Sequence, residues 1–223
     1  MEFLYLDSKF SLPTAMLKYL GFLIAITMSQ AAIAIVARKK GDTSAQTSQM
    51  ATLNPLPHIE LFGTVLFPFF TILLNSPIVF GWPKQFNIET RYFKRIKRDI
   101  NLVYSSGILI NFLIALICTI VLKIMGNIII PQGADYSSPE ILSRMILSYI
   151  CFLNIIIGAL NLLPVPGTPG WYILINNLSY DLSRKVQEKA MFMTVGFIIL
   201  IMSGLLSFYF ELFLNLFRAI NML

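Results

Sequence analysis

Long apolar runs separated by short basic loops are the feature of this sequence that most limits its possible folds. Four runs are each long enough to cross about 30 Å of hydrocarbon as a helix, and they cover residues 14–37, 103–125, 141–165 and 190–217. An apolar share of 57% and a mean hydropathy of +0.74 agree with this pattern. The sequence therefore predicts an all-α polytopic membrane protein with one integral membrane domain over residues 1–223.

A fifth apolar run, residues 61–82, is interrupted by Pro68 and by Asn75-Ser76-Pro77, which weaken helical hydrogen bonding. It is preceded by a basic cluster at residues 38–40 and followed by a second cluster at residues 84–98. A single crossing would place these clusters on opposite sides of the membrane, against the positive-inside tendency. We therefore predict a re-entrant hairpin rather than a single kinked span.

The formal net charge is +6, and the basic residues lie mainly in loops near residues 38–40, 84–98 and 184–189. Basic loops between apolar runs indicate a lipid bilayer as the partner rather than nucleic acid. If all three loops are cytoplasmic, the N-terminus lies outside, and the chain makes about four full crossings plus the hairpin. The expected location is a bacterial inner membrane.

Several short motifs occur in an informative order. They are Gly41-Asp42, Leu53-Asn54-Pro55-Leu56-Pro57-His58-Ile59, Gly63-Thr64, Phe80-Gly81-Trp82-Pro83-Lys84, Arg98-Asp99, Ser105 to Asn111, and Asn161-Leu162-Leu163-Pro164-Val165-Pro166. In this order and spacing they resemble the site-2 intramembrane zinc metalloproteases of the short bacterial type that lacks a PDZ domain. The resemblance implies a protease-like core over about residues 14–176, followed by a C-terminal helix at 190–217. It also implies a small β segment at the membrane border, near residues 43–57, which could pair with an extended substrate.

The same alignment places other residue types at the positions of the family's zinc site. Ser29, Gln30 and Ile33 stand where the family has His, Glu and His, and Pro169 stands where it has the third ligand, Asp. A zinc peptidase needs three protein ligands and a carboxylate that takes a proton from the metal-bound water. These four side chains supply neither, so the sequence predicts no metal, no cofactor and no enzymatic activity, which is the signature of a pseudoprotease.

Three polar residues are candidates for a cleft that binds a partner or substrate: His58, Asn111 and Asn161. His58 is the only histidine, and the family places the matching residue near its catalytic cleft. The two asparagines lie in apolar runs, where an amide is costly unless it is hydrogen-bonded. Hydrogen bonding between helices is the simpler explanation for both.

The sequence favours a scaffold or regulatory subunit of a membrane protein complex, with another membrane protein as its partner. One alternative is an active intramembrane zinc metalloendopeptidase with an unrecognised metal site, in which His58 converges with Asp42 or Glu60. Another is a small transporter component. This last alternative is disfavoured because the predicted full spans carry no charged residue away from their ends.

Overall fold

The computed structural model describes residues 11–74, 79–126 and 138–222, and all regular secondary structure within these ranges is helical. The α-helices are α1 (Leu12–Lys40), α2 (Ala45–Met50), α3 (Phe67–Leu73), α4 (Ile96–Ile124), α5 (Pro139–Leu162), α6 (Pro169–Asn177), α7 (Tyr180–Glu188), α8 (Ala190–Met202) and α9 (Ser207–Met222). A 3₁₀ turn at Leu56–His58 and a π-helix at Leu61–Leu66 lie between α2 and α3. Most of the chain is therefore organised by helix packing.

Three helices, α1, α4 and α5, are long and apolar enough to cross a membrane. α1 begins where the Ser11 side chain accepts a hydrogen bond from the Thr14 N–H, and it ends at Gly41, whose φ of 118° suits glycine. Each of the three helices packs on the other two. At Gly21, a Cβ would lie 2.9 Å from the Tyr149 carbonyl oxygen, so glycine permits close approach of α1 and α5.

The chain turns back on itself between Gly63 and Trp82. The Trp82 N–H donates to the Gly63 carbonyl at 3.0 Å, and the Thr64 hydroxyl donates to the Trp82 carbonyl at 3.0 Å. The two limbs of residues 61–82 therefore lie side by side. The predicted interruption at Asn75-Ser76-Pro77 lies outside the described residues, and the depth of this turn in a bilayer stays a prediction.

The predicted β segment near residues 43–57 is wrong for this structure. Within the described residues no strand is present, and this region contains α2 and the 3₁₀ turn. The physical reason is capping at the start of α2. The Ser44 side chain accepts from the Thr47 N–H, while Asp42 accepts from the Ser44 N–H and the Thr47 hydroxyl, so local side-chain hydrogen bonds favour a helical turn.

The last apolar run breaks near Ser203-Gly204, where the sequence suggests a bend. α8 ends at Met202, and Gly204 has a φ of 74°. α9 then packs on α4 and α5, with the Tyr209 hydroxyl donating to the Ala159 carbonyl at 2.8 Å. With 13 residues, α8 is about 20 Å long, shorter than the hydrocarbon layer. The number of crossings therefore stays a prediction.

Candidate functional site

An open pocket lies where α1, the beginning of α6 and the non-helical residues 79–90 meet. It opens to the exterior, and its enclosed part is small, with room for about one water molecule. Its walls are amide, aromatic and aliphatic, and are formed by Gln30, Ile33, Gln85, Phe86, Ile88, Tyr104, Gly167, Pro169 and Tyr172. No charged side chain lines it within the described part of the protein.

Three of the four positions that the sequence assigns to the zinc site converge at this pocket. Gln30 and Ile33 come from α1, and Pro169 is the first residue of α6. The fourth position, Ser29, is turned into the helix bundle, where it is 2% exposed. The fold therefore brings α1 and α6 together at one place, although the residues there differ from those of a zinc protease.

Ser29 connects three helices by hydrogen bonds. Its hydroxyl donates to the Gly107 carbonyl of α4 at 3.0 Å and accepts from the Asn161 side-chain amide of α5 at 3.1 Å. Ser29 is thus part of the contact between helices. Asn161, one of the predicted cleft residues, has its side chain in this contact rather than in the pocket wall.

A second polar contact lies one helical turn away. The Asn111 side-chain amide donates to the Ala25 carbonyl at 3.1 Å and to the Asn154 side-chain oxygen at 3.3 Å. Asn111 and Asn154 are fully buried. Asn111 was also a predicted cleft residue, but the structure places it between α1, α4 and α5, where its hydrogen bonds hold the helices in register.

Thr168 positions Pro169 at the start of α6. The Thr168 hydroxyl lies 2.6 Å from the Leu163 carbonyl and 2.8 Å from the Val165 carbonyl, and it accepts from the Trp171 N–H at 3.2 Å. This N-cap begins α6 directly after the proline-rich turn. The local sequence therefore fixes where Pro169 faces the pocket.

Asp42 anchors the side of the pocket formed by residues 85–89, which we call the non-helical wall. Its carboxylate is 1% exposed and accepts from the Thr47 hydroxyl at 2.6 Å, the Ser44 N–H at 2.9 Å and the Glu89 N–H at 2.9 Å. Burial alone would raise the pKa of Asp42, but the hydrogen bonds from Thr47, Ser44 and Glu89 outweigh it and lower that pKa. Asp42 is thus an ionised anchor that ties the non-helical wall to the end of α1.

The hydrogen bonds of this wall leave part of its backbone unpaired. Asn87 donates its N–H to the Gln46 side chain at 3.4 Å, and the Glu89 N–H binds Asp42. Within the described residues, the N–H groups of Phe86 and Ile88 have no hydrogen-bond partner. Both residues line the pocket, so the wall combines apolar side chains with backbone groups available for hydrogen bonding.

His58 is fully buried and does not line the pocket. Its Nε2 lies 3.0 Å from the Thr52 carbonyl oxygen, and its own carbonyl accepts from the Lys84 N–H at 2.9 Å. Burial lowers the pKa of His58, although the hydrogen bond to Thr52 opposes this shift. The structure therefore places His58 beneath the non-helical wall, where it supports the backbone near Lys84.

The residues of the pocket do not fit a zinc ion. Gln30 has a neutral amide, while Ile33 and Pro169 have no ligand atom in their side chains. Across the described ranges, no three His, Cys, Asp or Glu side chains cluster closely enough to hold a metal. The alternative ligand set, His58 with Asp42 or Glu60, does not converge either. The Glu60 carboxylate instead accepts hydrogen bonds from the Phe62 and Gly63 N–H groups at the start of the π-helix.

Sequence reasoning missed several pocket residues, namely Gln85, Phe86, Ile88, Tyr104 and Tyr172. The two tyrosine rings stack at 4.4 Å with an interplanar angle of 8°, joining α4 to α6. A partial signal was present, since the alternation of Phe86 and Ile88 follows directly after the Phe80-Gly81-Trp82 motif. The pairing of the tyrosines had no local signal because the two residues are distant in the chain.

Comparison with known proteins gives one informative relative. The chain is 28% identical over 198 residues to a Bacillus subtilis (strain 168) protein described as "Putative zinc metalloprotease YwhC". The match covers 88% of this chain and 85% of that protein. No family model matches the chain, and no solved structure matches it. The similarity supports the resemblance to site-2 proteases that the sequence motifs indicate.

The same comparison contradicts the prediction that the chain is not an enzyme. The name of that relative, "Putative zinc metalloprotease YwhC", points to a protease. The prediction relied on the identity of four side chains, whereas the similarity to this relative extends over 88% of the chain. Ser29, Gln30, Ile33 and Pro169 do not supply the ligands or the general base of a zinc site.

Proposed function

We propose that this chain binds a polypeptide segment of another membrane protein across the open mouth of the pocket lined by Gln30 and Pro169, and that it cleaves this segment. The observation that carries the binding step is the convergence of α1 and α6 beside the non-helical residues 85–88. The proposal of cleavage is supported by the similarity to the Bacillus subtilis protein named "Putative zinc metalloprotease YwhC".

The chemistry of the pocket suits an uncharged polypeptide. The side-chain amides of Gln30 and Gln85 each offer hydrogen-bond donors and an acceptor, as a peptide group requires. Phe86 and Ile88 add apolar contact, and their unpaired N–H groups can donate to an extended chain. The lack of a charged side chain among the described lining residues disfavours ionic substrates, because a buried charge needs a partner.

The experiment is a cleavage assay with the full chain reconstituted in lipid. The substrate is a single-span membrane polypeptide with a different tag at each end. We expect a shortened product from the wild type and a several-fold lower yield from Gln30→Leu, which removes an amide from the pocket wall. Gln187→Leu is the matched control because Gln187 is exposed on α7, and it should cleave normally. No product from the wild type would contradict the proposed cleavage.

A second role, as a scaffold or regulatory subunit of a membrane protein complex, is favoured by the amide and aromatic lining of the pocket. Binding of a partner's segment requires this lining but no hydrolytic group, so the role does not depend on whether cleavage occurs. Its test is co-purification of the tagged model polypeptide from detergent. We expect Gln30→Leu to reduce retention of the polypeptide and Gln187→Leu to leave it unchanged.

A further inference from the structure

One end of the helix bundle carries a cluster of exposed basic residues, none of which lines the pocket. α1 ends there with Arg38 and Lys39, and α4 begins there after Lys94 and Arg95. The Lys40 ammonium contacts the Asp99 carboxylate at 3.1 Å, which joins these two helix ends. We call the exposed cations here the basic rim, and they are Arg38, Lys39, Lys94, Arg95, Lys97 and Arg98.

Among the described residues, the positive charges of the basic rim are not neutralised by acidic side chains nearby. None of its six side chains forms an ion pair within the described part of the chain. The nearby Asp99 is buried and occupied by Lys40, and Glu89 pairs with Arg91 at 3.3 Å. The rim therefore attracts an external anion rather than neutralising itself.

The position of the rim follows from the exposed face of α4. Apolar side chains continue along this face and are 42% to 79% exposed, as seen for Leu102, Leu109, Leu113, Ile117, Ile120 and Ile124. From Leu102 to Ile120 the helix rises about 27 Å, close to the thickness of the hydrocarbon layer. This face is thus suited to contact lipid tails over the full depth of one bilayer.

Arg98 lies one helical turn before Leu102, on the same face of α4. A residue four positions earlier in the helix is displaced by about 6 Å, which is the distance from the edge of the hydrocarbon to the headgroup layer. Ile96 and Tyr92 are 55% and 62% exposed beside it, so apolar and cationic groups are interleaved at this depth. Such a combination is typical of a protein surface at a membrane interface.

The rim is also held in a fixed position relative to α6. The Asn176 side-chain amide donates to the Lys97 carbonyl at 2.7 Å and to the Asn101 side-chain oxygen at 2.8 Å. Asn177 adds a hydrogen bond to the same Asn101 oxygen at 3.0 Å. These amides anchor the first turn of α4, so the cations of the rim start from a rigid backbone.

We propose that the basic rim binds the phosphate headgroups of anionic phospholipids at the end of the lipid-facing surface of α4. The phosphate provides the negative charge that the rim lacks, and the acyl chains continue along the exposed apolar face. Each cation near an anionic surface adds to the attraction, so several act together. This inference does not depend on the proposed polypeptide-binding pocket, which carries no charged lining residue among those described.

The test uses native mass spectrometry of the full chain in neutral detergent, with equal amounts of phosphatidylglycerol and phosphatidylcholine added. We expect the wild type to retain phosphatidylglycerol about tenfold more than phosphatidylcholine at low salt. The double variant Arg95→Gln/Arg98→Gln should lose most of this preference. The matched control, Lys123→Gln/Arg218→Gln, removes the same charge away from the rim and should keep it.

Salt provides a second measurement that does not rely on any variant. Raising the ionic strength should reduce the preference of the wild type, because screening weakens an electrostatic contact. Unfolding midpoints in neutral detergent identify any variant that fails to fold. Equal retention of the two lipids by the wild type, or equal loss in the two double variants, would overturn the proposal.

Discussion

The helix bundle and the wall of the pocket are stabilised in different ways. In the bundle, α1, α4 and α5 pack closely, and buried amides such as Asn111 connect them. In the wall, residues 85–89 have no regular secondary structure and depend on side chains from another part of the chain, above all Asp42. Apolar packing thus builds the scaffold, whereas a few polar anchors shape the site.

Removal of the Asp42 anchor should have the largest effect on the wall. Asp42→Ala leaves the Glu89 N–H without its partner and removes two hydrogen bonds at the start of α2. We expect a loss of about 3 kcal/mol in the free energy of unfolding. Hydrogen exchange should accelerate at residues 84–90 more than in the centres of α1 and α4.

The control for this variant is Asp181→Ala, because Asp181 is exposed on α7. This substitution should change stability by no more than about 0.5 kcal/mol. If Asp42→Ala accelerated exchange equally in the bundle and the wall, the two regions would not be stabilised independently.

Disruption of the bundle should have the next largest effect. In Gly21→Ala the added methyl group would lie 2.9 Å from the Tyr149 carbonyl oxygen, so α1 and α5 must separate. We expect a cost of about 2 kcal/mol, measured by reversible unfolding in mixed detergent.

Gly196→Ala is the matched control for the bundle. A Cβ at Gly196 of α8 meets no atom within 4 Å, so only helix propensity changes there, and it favours alanine. Equal destabilisation by both alanine variants would show that close packing at Gly21 is unimportant.

The smallest predicted effect is a dependence of stability on pH through His58. Because burial lowers its folded pKa below the ordinary value of 6.5, the unfolded chain takes up this proton first as the pH falls. The free energy of unfolding should therefore decrease below about pH 6.5 and stop decreasing, for this group, below the folded pKa.

His58→Gln should remove this part of the pH dependence. His58 is the only histidine, so the comparison of wild type and variant isolates its contribution. Titration of Asp42 lies in a separate window at lower pH, since its folded pKa is below 3.8. Identical slopes in the two proteins between pH 5 and 6.5 would contradict the assignment.

The sequence predicted the bundle better than the wall. The apolar runs located α1, α4 and α5, although α4 begins at Ile96, before its apolar run, because Lys97 and Arg98 are also helical. Periodicity and composition are local signals, and they suffice for helices of this kind.

The wall and the β segment could not be predicted in the same way. The hydrogen bond from Glu89 to Asp42 joins residues 47 positions apart, and no local pattern reports it. The predicted β segment near residues 43–57 came from the family resemblance, and capping by Ser44 overrides it here. The alignment did place Gln30, Ile33 and Pro169 in one pocket, but their chemistry alone was an insufficient guide to activity.

The most direct test of the pocket is photochemical crosslinking to the tagged model polypeptide in lipid. A photoreactive phenylalanine analogue is placed at Phe86, which lines the pocket, or at Phe192, which is 78% exposed on α8. We predict a crosslinked product from position 86 that decreases when Gln30→Leu is added, and little product from position 192. Equal crosslinking from the two positions, or none from position 86, would contradict polypeptide binding in this pocket.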